Sequence, residues 1–160
     1  MGAAANFDFP GGIEKMEISD ADDFDPSGNA TFAITMNRNQ IAEGSKIPDP
    51  EAVKIALADD RELNNGKDQD IKLRFTGMDT TDFDSLEQAE GDGVEVFVRI
   101  TSLKTTTNGN PKWEVVYKRV LLSMVAHGPA KINRDEYGVV IVDGMTTGGD
   151  SSDIYSITKN

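Results

Sequence analysis

The stretch GVEVFVRITSL, residues 93–103, places Val94, Val96, Val98 and Ile100 on one side of an extended chain and Glu95, Phe97, Arg99 and Thr101 on the other. That period of two, in β-branched and aromatic residues, predicts a half-buried strand whose valine face belongs to a core. KTTTNGNP (residues 104–111) follows with Asn-Gly and Pro reversal signals, and KWEVVYKRVLLSMVAHG (residues 112–128) returns as a long strand with Trp113, Val115 and Tyr117 on one face. The two form a predicted hairpin.

Similar patterns lie on both sides of the hairpin. Ile71, Leu73 and Phe75 alternate with Lys72, Arg74 and Thr76, and TTDFDSLEQAE (residues 80–90) predicts a helix of two or three turns, with Thr81 as cap, Asp84 three residues later, and Phe83 and Leu86 as its apolar pair. YGVVIVDG (residues 137–144) and DIYSITKN (residues 153–160) predict two further strands, separated by a Gly, Thr and Ser-rich loop over residues 144–152. Nearer the start, IEKMEIS (residues 13–19) predicts a strand after an arm at residues 1–12, and NATFAITM (residues 29–36) sets Phe32, Ile34 and Met36 on one face of another, with a turn built on DPSG between them. Residues 37–69 read as a long polar loop containing a helix at DPEAVKIALADDREL (residues 49–63), where Asp49 is the N-cap, Pro50 the first helical position, and Val53, Ala56 and Leu57 the apolar spacing. The expectation is one mainly β domain over residues 1–160: a sandwich or barrel of about seven strands, one or two short flanking helices and an extended N-terminal arm.

Composition narrows the function classes. The 160 residues carry 28 acidic against 16 basic side chains, a formal charge of −12, of which residues 1–70 contribute −9. Such a chain repels duplex DNA and anionic membranes. Cysteine is absent, which removes disulfide scaffolds, thiolate metal sites and cysteine nucleophiles. No apolar run approaches the ~18–20 residues of a membrane span, and MGAAANFDFPGG lacks the basic and apolar regions of an export signal. Asn6 stands where a myristoylation signal needs Ser or Thr.

Catalytic constellations find little support. His127 is the single histidine and reads as an exposed residue at a strand end, no G-x-S-x-G elbow surrounds a serine, and neither common phosphate-binding glycine motif occurs. Close acidic pairs such as Asp22 with Asp23, or Asp82 with Asp84, are expected by chance in so acidic a chain. An enzyme is not expected, and no cofactor is implied. DFDPSGNATFAI (residues 23–34) begins like a calcium loop, with Asp23, Asp25, Ser27 and Gly28 at its first, third, fifth and sixth places. The twelfth place holds Ile34 instead of the bidentate Glu, and the segment runs into a strand, so an EF-hand is excluded. The stretch reads as a solvated turn; its alternative is a looser calcium site using Asp20, Asp22, Asp23 and Asp25.

The order of elements over residues 69–145 (IKLRFTGMD, TTDFDSLEQAE, VEVFVRITSL, then KWEVVYKRVLLSMVAHGPAKINRDEYGVVIVDG) resembles the major tail tube proteins of long-tailed bacteriophages. The resemblance is one of pattern and carries no diagnostic motif. It implies a β-sandwich with one flanking helix, six subunits joining their sheets into a ring with a β-barrel lumen, and rings stacked through extended arms and a long loop between early strands. The implied partners are further copies of the chain and other virion tail proteins. DNA would pass without specific binding, no membrane would be involved, and the protein would be made in the host cytoplasm and reside in the virion tail. Candidate assembly residues are Phe7 and Phe9 in the arm, Ile47 in the long loop, and Trp113 with Tyr117, a pair that fits a core better than a subunit contact. The helical insertion at residues 49–63 departs from the family pattern. Two other readings are open: another virion protein, for capsid decoration or tail completion, and a monomeric β-sandwich module binding calcium or carbohydrate.

Overall fold

The computed structural model describes residues 13–42, 45, 69–102, 113–128, 131–146 and 155–159. The expected arm and the helix at residues 49–63 lie outside them. The protein is mainly β. Strands β1 (Ile13–Ser19), β2 (Ala33–Asn37), β3 (Gln69–Phe75), β5 (Glu95–Ser102), β6 (Trp113–His127), β9 (Val140–Thr146) and β10 (Tyr155–Lys159) form one antiparallel sheet. Its order is β2-β1-β5-β6-β9-β3, with β10 beside β6. The short strands β4 (Met78–Asp79), β7 (Lys131–Asn133) and β8 (Glu136–Tyr137) form a second sheet, and α1 (Thr80–Asp92) is the single α-helix among the described residues.

The predicted hairpin is the pair β5–β6. Val96, Val98 and Ile100 are at most 1% exposed, as their alternation requires. Val94 is not on that buried face: it is 40% exposed, because it precedes the strand and its N–H closes the end of α1 on the Ala89 carbonyl at 3.0 Å. Along β6 the simple alternation breaks twice. Val98 faces Tyr117 but Val96 faces Val120, so β6 holds an extra residue, and Arg119 there takes a φ of 53°. A second extra residue separates Leu122, opposite Gly144, from Met124, opposite Asp143. The buried positions therefore step from Val115 and Tyr117 to Val120 and Leu122, and then to Val125. Each bulge bends its strand and increases the local twist, and the sheet curls into a half-barrel.

The apolar stripe of α1 packs on the buried face of the sheet. Phe83, Leu86 and Ala89 recur at helical spacing and join Met78, Phe75, Leu73, Val120 and Val140 in one core. The helix starts two residues earlier than expected: Asp79, not Thr81, is the N-cap, and its carboxylate accepts the Thr81 N–H at 2.9 Å. It also runs beyond the expected two or three turns, to 13 residues: Gly91 stays helical and the chain turns only at Gly93, which takes the left-handed conformation.

Gly144, expected in a loop, sits inside β9 opposite the second bulge. A Cβ there would lie 2.8 Å from the Leu121 carbonyl oxygen and 3.1 Å from Val120 Cγ1, so the close approach of β6 and β9 depends on its absence. Gly144→Ala is expected to destabilise by about 1–3 kcal/mol. Gly91→Ala, where the added methyl meets nothing within 4 Å, is expected to stabilise by about 0.5–1 kcal/mol. Urea unfolding of both variants checks the opposite signs.

Candidate functional site

The acidic loop between β1 and β2 uses its carboxylates on its own backbone. Asp23 accepts N–H groups from Asp25 at 3.1 Å and Asn29 at 3.0 Å, and Asp25 accepts from Ser27 at 2.9 Å. Asp20 accepts from the Thr31 N–H at 2.9 Å, the Phe32 N–H at 3.4 Å and the Thr31 hydroxyl. These are the turn-forming bonds that Asp supplies locally. Among the described residues no group of three or more His, Asp or Glu side chains is arranged to hold a metal ion. Ile34 is 1% exposed in the core, and Phe24, with a φ of 51°, is buried as the loop's anchor.

Burial pushes the Asp20 carboxyl upward, but the hydrogen bonds from Thr31 and Phe32 outweigh it and leave the pKa below the ordinary carboxylate value. A depressed carboxylate stabilises the fold above its unfolded pKa, and that contribution is lost as pH falls through the folded one. Asp20→Asn is expected to lower Tm at pH 7, with the difference from the parent protein fading in acid. Calcium is expected to leave the parent Tm unchanged, since Asp20, Asp23 and Asp25 are already engaged by backbone N–H groups of the loop and only Asp22 is not. A rise of several degrees with calcium, lost on replacing Asp23 and Asp25, would establish the cation site instead.

The face of the sheet away from α1 carries cross-strand ion pairs. Arg99 on β5 donates to both Glu17 oxygens on β1, Nε to Oε1 at 2.9 Å and Nη2 to Oε2 at 2.8 Å. The Glu17 hydrogen bonds raise the guanidinium pKa further, against the opposing effect of burial. Arg99 also lies 4.2 Å above the Phe24 ring, which meets Phe97 edge-on at 6.4 Å. On the other flank Arg74 of β3 reaches Asp143 of β9 at 2.6 Å.

Tyr117 is 0% exposed in the core, which is where its alternation with Val115 places it. Trp113 begins β6, but its side chain lies outside the described residues, as do Phe7, Phe9 and Ile47. His127 is at the exposed end of β6 as expected; its ring stacks on Tyr137 at 4.2 Å, meets Phe83 edge-on at 5.2 Å, and its Nδ1–H donates to the Gly128 carbonyl at 2.7 Å. An open cleft of about 270 Å³ between Asp20, Phe32 and the Ser85, Gln88 and Asp92 side of α1 adds no nucleophile–base pair, since the Ser85 hydroxyl donates to Thr81.

What remains is the pair of sheet edges. β2 ends the sheet on one side and pairs, among the described residues, only with β1. β3 ends it on the other. Its Phe75 end is met by a bridge to Ile41 and by bonds from the Ala42 N–H to the Arg74 carbonyl and from the Arg74 N–H to the Ser45 hydroxyl. Along the rest of β3, among the described residues, only β9 is a strand partner. Alternation puts exposed Thr35 of β2 and half-buried Lys72 of β3 on the face away from the core. Neither was a candidate from the sequence, because an edge is a property of strand order.

No protein-family model matches the chain, and no curated protein does. Solved structures do resemble it. A crystal structure of the Hcp protein matches with 12% identity and a TM-score of 0.34 over 57% of this chain, and the chain spans 60% of the Hcp protein's length. A chain of the anti-feeding prophage baseplate, from a six-fold symmetrised cryo-EM structure, matches with 9% identity and a TM-score of 0.45, covering 96% of this chain and 98% of that one. At these scores neither likeness assigns a family or a function.

Proposed function

We propose that the protein is a structural subunit of a phage-type tail tube, which assembles into stacked six-membered rings and conducts DNA passively. The observation that carries this reading is the open half-barrel ending in two strands without strand partners on their outer sides among the described residues. The outward backbone groups of β2 and of the Asp70–Lys72 part of β3 have no strand partner among the described residues, and they are satisfied without an outermost edge when identical sheets close into a ring. Subunit β2 then lies beside the neighbour's β3, a heterologous contact that repeats around the axis. The ring number and the stacking come from the sequence resemblance. The charge of −12 supports a conduit that repels phosphates.

In that arrangement Thr35 faces the stretch of the neighbour's β3 that carries Lys72. Thr35→Lys is expected to reduce assembly at least tenfold, since like charges across strands oppose pairing, and Thr35→Asp to preserve it. Both variants should melt within about 0.5 kcal/mol of the parent as monomers, because Thr35 is exposed. Light scattering and electron microscopy at high concentration read the assembly. Monomers under every condition would overturn the proposal, and discrete trimers would favour a decoration protein.

Removal of residues 1–12 is expected to weaken assembly more than stability, because the sequence of the arm offers no candidate core residues beyond Phe7 and Phe9. Assembly yield and Tm, measured on the same truncated protein, test it.

A further inference from the structure

The cleft beside the C-terminal end of α1 joins two acidic elements. One wall is the β1–β2 loop, whose residues 20–31 carry four carboxylates and no base; the other is α1, with five carboxylates and no base. The negative end of a helix dipole favours cations, yet the last turn of α1 holds Glu90 and Asp92 and no basic side chain. Among the described residues Asp92 has no ion-pair partner, and neither Lys nor Arg lines the cleft. The negative charge at this end is therefore not balanced by the described residues around it.

The lining is also partly apolar. Half-buried Phe32, buried Ala89 and the 40%-exposed Val94 stand beside Asp20, Gln88 and Asp92. The volume of about 270 Å³ is at the lower bound of small-ligand pockets and suits one long side chain. Elsewhere the protein shows what such a set of groups holds: Arg99 lies over the Phe24 ring and donates to both oxygens of Glu17. We propose that the cleft is a docking site for an arginine side chain of a partner protein, with the guanidinium between the Asp20 and Asp92 carboxylates and over Phe32, and the methylenes against Val94. A guanidinium suits this lining better than an ammonium, because it is planar, weakly hydrated and able to stack and to fork onto a carboxylate at once. The bonds from Thr31 and Phe32 hold Asp20 in place, so little ordering is needed on binding. A partner of positive net charge is favoured over a second copy, since chains of charge −12 repel one another at their acidic ends. The site stands apart from the sheet edges β2 and β3 and does not depend on the tube reading.

NMR of the isotope-labelled full chain, unassembled and titrated with the capped peptide acetyl-Ala-Arg-Ala-amide, tests the site. Saturable shifts are expected at the amides of Phe32, Gln88 and Val94, and the lysine counterpart is expected to bind at least about threefold more weakly. Asp92→Asn is expected to weaken the arginine peptide at least about threefold. Asp84→Asn removes the same charge from an exposed position of α1 outside the cleft and is expected to change affinity by less than about 1.5-fold. Phe32→Leu keeps the carboxylates and is expected to erase the preference for arginine over lysine; should that variant fail to fold, the two exposed Asn variants still decide. Equal weakening by both Asn variants, or equal affinity for the two peptides, overturns the proposal, because attraction to the acidic surface as a whole then accounts for binding. Absence of saturable shifts at the cleft overturns it outright. Free arginine binding about tenfold more tightly than the capped peptide makes the cleft a small-molecule site and overturns the docking of a protein. Shifts of the same amides on self-association without peptide make the occupant a second copy and overturn the choice of partner.

Discussion

The structure is organised by the pairing of β6, a fifteen-residue strand that touches β5, β9 and β10 in turn. A strand of that length, if regular, would present a flat ribbon whose alternate residues all face one way. The two bulges prevent this by rotating the inward set at Arg119 and again after Leu122, so Tyr117, Val120 and Val125 all reach the same core although their spacing is odd. Curvature, the seat of α1 and the close approach at Gly144 follow from those two inserted residues. The same curvature leaves β2 and β3 as the ends of an arc instead of the sides of a flat sheet.

Local pattern made individual strands legible. Ile34 could be assigned to a core strand because Phe32 and Met36 flank it at a period of two, and the same residue excluded an EF-hand; its 1% exposure agrees with both. Residues 112–128 were legible as a strand but not as a bent one, since KRVLLSMV is apolar on both parities and conceals where the phase changes. Asp79 and Thr81 are both good helix caps, and only the backbone conformation chooses between them. Strand order was not legible at all, because β1 pairs with β5 across the intervening β2, β3, β4 and α1. The Glu17–Arg99 pair and the two edge positions were hidden for that reason.

For the candidate site, the acids of residues 20–25 could be recognised as a turn from Pro26 and Gly28, and the structure assigns Asp20, Asp23 and Asp25 to specific backbone donors. That assignment gives the concentrated negative charge of the first half a folding role as well as an electrostatic one. Tyr117, read from the sequence as core in preference to a subunit contact, is in the core, fully buried opposite Val98.

The aromatic stack at the far end of β6 has a practical consequence. His127 is the chain's one imidazole, and it is held face-on to Tyr137 and edge-on to Phe83, residues that belong to the small sheet and to α1. Its ring protons sit in the ring-current fields of two neighbours contributed by different elements. A single pair of proton resonances, free of overlap from any other histidine, therefore reports whether helix, small sheet and half-barrel remain docked.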